Sequence, residues 1–82
     1  MIGSAIAARR RELRWSQSEL ADQVQLNRTY LSDIERGEAN VSFAVVARLA
    51  GALDVSMSDL IRRAELDGDA RQPVESGQAE AQ

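Results

Sequence analysis

The chain has 82 residues, no cysteine, no histidine and a net charge of −3 at neutral pH. That length holds one small core, and the missing residue types exclude disulfides, thiolate metal sites and the commonest general base. All ten basic residues are arginine, which forks well onto phosphate or guanine, and no apolar run approaches membrane-spanning length.

The opening Met-Ile-Gly-Ser lacks the basic-then-apolar layout of a signal peptide, so a cytoplasmic protein is expected. A first helix is predicted from about Ile2 to Leu13. Arg10 lies on its Ile2, Ile6, Leu13 stripe, an unusual place for an exposed charge, whereas Arg9 and Arg11 read as solvated. Ser16 followed by Glu19 is a capping box opening a second helix at Gln17, with Trp15 and Leu20 as its hydrophobic staple. The same layout recurs with Asn27 as cap between Leu26 and Leu31, and with Ser42 between Val41 and Val46. It recurs once more with Ser56 between Val55 and Leu60, where Asp59 makes a second box-like pair. Gly37 fits a left-handed stop after the third helix. No segment alternates with period two, so the prediction is all-α with five helices.

Between Gln17 and Gly37 two short amphipathic helices are separated by three residues. Small Ala21 sits where they cross, and Leu20, Val24, Leu26, Leu31 and Ile34 are placed to share a core. This is helix-turn-helix spacing, in which the second helix enters the DNA major groove. At 100° per residue, Arg28, Thr29, Ser32, Asp33 and Arg36 span about 140° of that helix. Leu31, Ile34 and Tyr30 take the other side, with Glu35 at the boundary. Arg28 is placed to fork onto guanine, Thr29 to touch a thymine methyl or a phosphate, and Ser32 to serve base or backbone. Asp33 either accepts from cytosine N4 or holds Arg36 or Arg28 in place. Phosphate contacts are expected from Gln17 at a helix N-terminus, from Asn40 and Ser42 leading into the fourth helix, and from a free Tyr30 hydroxyl.

Charge divides unevenly along the chain. Residues 65–82 carry five acids against Arg71, a net −4, which leaves nine Arg and eight acids, a net +1, in residues 1–64. The last stretch also holds Gly68, Pro73, Gly77 and three Gln, with little that is large and apolar. It reads as a disordered acidic tail, so DNA affinity rests on local placement of Arg.

The run QSELADQVQLNRTYLSDIERG, Gln17 to Gly37, resembles the helix-turn-helix of the Cro/C1-type (XRE) repressor family, and the likeness extends over roughly Ile2 to Ile61. It implies a five-helix, lambda-repressor-like DNA-binding and dimerisation domain over residues 1–64, with residues 65–82 as the tail. In that family the glutamine matching Gln17 touches the DNA backbone. The residues matching Arg10 and Glu35 form a partly buried ion pair that ties the first helix to the recognition helix. The stretch NRTYLSDIERGEANVS further resembles the small controller proteins of restriction–modification systems, dimeric autoregulators of about this length. Three positions depart from the pattern: Gln25 and Arg14 stand where glycine is frequent, and Arg9 where an apolar residue is common.

The function expected is a sequence-specific transcription regulator, a homodimer on a palindromic operator, without cofactor, metal, small-molecule ligand or enzymatic activity. One small helix-turn-helix offers few base contacts, whereas two-fold pairing doubles them and spaces the recognition helices about 34 Å apart. Once Val46, Leu49, Ala50, Leu53, Val55 and Leu60 are assigned to the core, Phe43, Met57 and Ile61 remain as apolar surplus for an isologous interface. The alternative is an antitoxin-type module, with an operator-binding helix-turn-helix and a partner-binding tail.

Overall fold

The computed structural model describes residues 1–68; the greater part of the stretch read as a tail, and with it the antitoxin-type partner contact, lies outside the described residues. Five helices and no strand occur among the described residues: α1 Ile2–Glu12, α2 Gln17–Val24, α3 Arg28–Glu35, α4 Phe43–Ala52 and α5 Met57–Gly68. The boundary drawn at residue 64 falls inside α5. Averaged composition hid three good helix formers, Ala64, Glu65 and Leu66, which extend the helix beyond Arg63.

The helix starts follow the caps. Ser16 Oγ accepts from the Glu19 amide at 3.0 Å while the Ser16 amide donates to Glu19 Oε1 at 2.7 Å, a complete capping box. Asn27 Oδ1 accepts from the Thr29 and Tyr30 amides, and Ser42 Oγ from Val45. At α5 only half of the expected box forms. Ser56 Oγ accepts from the Asp59 amide, but the Asp59 carboxylate faces Arg62 at 3.6 Å, because aspartate is one methylene shorter than the glutamate that closes a box.

The helix ends share one construction. Arg14, Gln25, Gly37 and Asp54 have φ of 62°, 60°, 76° and 57°. After each of them, the next amide donates five residues back: Trp15 to Arg10, Leu26 to Ala21, Glu38 to Asp33 and Val55 to Ala50. These are Schellman closures. Three of the four use a residue with a side chain in a conformation that costs it roughly 1–2 kcal/mol. Trp15, Leu26 and Val55 pack against the core, so each closes one helix and staples the next. That double duty keeps the intervening turns short.

Ile6, Leu20, Leu31, Leu49, Leu53 and Leu60 are fully buried, each contributing about 1.5–3 kcal/mol relative to exposure. α1 lies mainly along α5 and also crosses α3. The α1–α3 crossing is close at Gly3, where a Cβ would stand 2.0 Å from the Ile34 carbonyl oxygen. Charged side chains lock the periphery. Arg9 is not solvated as expected: its Nε donates to the Leu53 carbonyl oxygen at 2.9 Å and its Nη1 to Glu12 at 3.1 Å. The acceptor lies 44 positions along the chain, beyond the reach of a local reading. Arg63 reaches the same Glu12 with both terminal nitrogens at 3.0 Å. Arg63 first, and then Arg9, hold the Glu12 carboxyl below the usual glutamate range. Arg48, on α4, donates to the Val24 carbonyl oxygen at the end of α2.

Candidate nucleic-acid interface

α3 is fixed from behind. Leu31, Ile34 and Glu35 are buried. Arg10 meets Glu35 through two parallel hydrogen bonds, Nε to Oε2 at 2.8 Å and Nη2 to Oε1 at 3.0 Å. Its remaining terminal nitrogen donates to the Trp15 carbonyl oxygen at 2.8 Å. The two side chains are 12% and 6% exposed, so this is a desolvated, bidentate pair of the strong kind. The hydrogen bond to Glu35 raises the Arg10 pKa above the ordinary arginine value, against the opposing effect of burial. The pair expected from the resemblance is therefore present, and α1, α2 and α3 meet at one carboxylate.

Gln17 joins that carboxylate. Its Nε2 donates to Glu35 Oε1 at 3.0 Å, so its side chain is half committed to the scaffold instead of being an independent phosphate donor. One amide hydrogen remains for an outside acceptor. Beside it, a cleft of about 310 Å³ opens between α1, α2 and α3, lined by Arg11, Gln17, Ser32, Arg36 and the Arg10–Glu35 pair.

The outward arc of α3 is polar. Arg28 and Thr29 are exposed, Ser32 and Asp33 half-buried, and Arg36 exposed at the C-cap. Arg28 has no hydrogen-bond or ion-pair partner among the described residues, which leaves its fork open to an incoming base or phosphate. Arg36 is held instead. It donates from Nη1 to Ser32 Oγ, from Nη2 to Asp33 Oδ1 and from Nε to Glu38 Oε1. Of the two roles considered for Asp33, the structure displays the one of holding Arg36.

The Tyr30 hydroxyl differs from expectation. It donates to the Asn40 carbonyl oxygen at 3.3 Å, because the chain between α3 and α4 folds back over the half-buried ring; its oxygen can still accept. Asn40 and Ser42 are both exposed, and Ser42 serves as cap. Sequence reasoning overlooked Glu38 as an Arg36 partner and Gln17 as a Glu35 partner. The first follows only from the turn at Gly37, and the second only from the way α2 crosses α3.

The apolar surplus divides. Phe43 and Ile61 are 75% and 45% exposed, whereas Met57 is half-buried and packs against the core. Leu66, within the stretch read as tail, is exposed as well. No helix among the described residues is long and apolar enough to cross a membrane.

Both the sequence and the fold are similar to those of known proteins. A helix-turn-helix family model covers residues 6–60, and the chain belongs to that family. It is 38% identical over 60 residues to the immunity repressor protein of Bacillus phage phi105, covering 73% of this chain and 42% of that protein. It is 48% identical over 46 residues to control protein C.BamHI of Bacillus amyloliquefaciens, covering 56% of this chain and 57% of that protein. The chain thus spans about half the length of these two relatives. A solved structure of the biofilm regulator SinR in complex with DNA superposes with a TM-score of 0.70 at 39% identity, covering 74% of this chain and 98% of that one. The likeness to XRE repressors read from Gln17–Gly37, and to controller proteins read from Asn27–Ser42, therefore holds.

Proposed function

We propose that the protein is a sequence-specific DNA-binding transcription regulator that works in the cytoplasm, as a homodimer on a two-fold operator, and controls its own gene. One observation carries the reading. α3 is anchored from behind by a buried ion pair while its outward arc presents Arg28, Thr29, Ser32, Asp33 and Arg36 and no aliphatic side chain. A surface helix held this rigidly and left this polar suits insertion into a major groove. The free amides at the start of α2, with Gln17, and the Asn40–Ser42 approach to α4 flank it as phosphate donors. Phe43 and Ile61, with the exposed edge of Met57, supply the pairing surface. The relatives named as repressor, control protein and DNA-bound regulator support the same class.

The test is a nuclease footprint on the DNA upstream of the protein's own gene. Two protected half-sites about one helical turn apart are expected. In sedimentation the wild type is expected to be dimeric at micromolar concentration and Ile61→Glu monomeric, folded and weak on the operator. A monomeric wild type, with Ile61→Glu binding normally, refutes the interface.

A further inference from the structure

Arg36 is surrounded in a way that Arg28 is not. Its three nitrogens each have an acceptor from the protein itself: Ser32 on Nη1, Asp33 on Nη2 and Glu38 on Nε. Two of those acceptors are carboxylates, so the outer end of the recognition helix carries more negative than positive charge. A guanidinium has five N–H donors, so two remain. The side chains of Arg36, Asp33 and Glu38 are 53%, 37% and 63% exposed, and ion pairs this exposed contribute little to stability. Their consequence lies in what Arg36 can reach.

We propose that Asp33 and Glu38 are specificity-determining residues that act through Arg36, fixing its guanidinium for base contact and withholding it from phosphates. The inference rests on the DNA-regulator reading above. An unheld arginine at this position follows the nearest phosphate on any duplex, adding affinity without information. Held in place, it keeps two donors, the number needed to fork onto guanine O6 and N7. The two carboxylates meanwhile repel a backbone approached out of register. Specificity is a difference of affinities, and this arrangement enlarges it from both sides.

The test compares binding to the footprinted operator and to a random-sequence duplex across a salt series. Asp33→Asn and Glu38→Gln are expected to tighten binding to the random duplex about three- to tenfold at low salt. The log–log salt slope should steepen by about one, for one added phosphate contact. The operator should gain less, so the operator-to-random ratio falls. Adding Arg36→Gln to either variant should erase the gain, which separates release of Arg36 from a mere change in net charge. A gain that survives Arg36→Gln, or random-duplex binding unchanged in both variants, overturns the proposal. If the wild type prefers no sequence in selection from a random library, the DNA-regulator reading fails and this inference falls with it. If the wild type selects an operator and the ratio stays fixed in the variants, only the inference fails. Far-UV circular dichroism verifies that each variant is folded, and Glu38→Gln, at the most exposed of these sites, carries the test if Asp33→Asn does not fold.

Discussion

The two faces of α3 use the same chemistry, arginine against carboxylate, under opposite conditions. Behind the helix, Arg10 and Glu35 are largely removed from water and tied by two parallel hydrogen bonds, with Gln17 and the Trp15 carbonyl oxygen completing the set. In front, Arg36 meets Asp33 and Glu38 where solvent reaches all three, and Arg28 meets no partner among the described residues. A buried pair is costly to break, since the survivor is left charged and dry. An exposed one dissolves into water at little cost. The fold thus keeps its stability behind α3, and residues on the face proposed to meet DNA can change without unfolding the domain.

The largest effect should come from the buried side. Glu35→Ala strands Arg10 and frees Gln17, and is expected to lower stability by about 3–5 kcal/mol in denaturant titration. A curve that overlays wild type would dissolve the contrast between the faces. Gly3→Ala tests the same side by sterics alone. Its methyl must displace the Ile34 carbonyl, and a loss of about 1–3 kcal/mol is expected, with operator binding falling as α3 shifts. On the exposed side, Arg28→Ala should leave the melting temperature in place and cost about 1–3 kcal/mol on the cognate operator, relaxing preference at one guanine. Equal loss on random DNA would demote Arg28 from reader to phosphate contact.

The smallest effect sharpens the role of exposure. Glu12 is held below its ordinary pKa by Arg63 and Arg9. A depressed carboxyl binds its proton less readily when folded, so its contribution is present above the ordinary glutamate pKa and fades as pH falls through the lower folded value. The stability difference between wild type and Glu12→Gln should therefore shrink from neutral pH toward pH 3. A difference that grows on acidification would show that Glu12 is not held by its arginines.

Much of this was legible because it is local. Ser16 with Glu19, Asn27, Ser42 and Ser56 name their own helix starts, and the Trp15–Leu20 type of spacing names the staples. The Arg10–Glu35 pair came from position on two helix stripes together with family resemblance. What stayed hidden depends on contacts distant in sequence, or on backbone geometry that no residue type announces. Arg9 finds a carbonyl on the far side of the core, and the Tyr30 hydroxyl finds one in the next loop. Asp54 adopts a left-handed conformation although nothing in its neighbourhood asks for glycine. Gly3 sits inside a predicted helix with no local sign of the close α1–α3 crossing that requires it.

The shared turn residues carry a consequence for how such a chain can change length. Trp15, Leu26 and Val55 each belong to two helices at once, so adding or deleting one residue beside them would tear a closure from its staple and rotate everything downstream. Only after α3 is the chain relieved of this constraint, because the residue in the equivalent place is Glu38, whose side chain faces solvent and Arg36. Insertions between Glu38 and Ala39, which leave the Glu38–Asp33 closure and the approach to α4 intact, are therefore the ones that the domain can absorb. That junction is where a lengthened loop, a tag or a grafted recognition peptide can be introduced with α1, α2 and α3 kept in register.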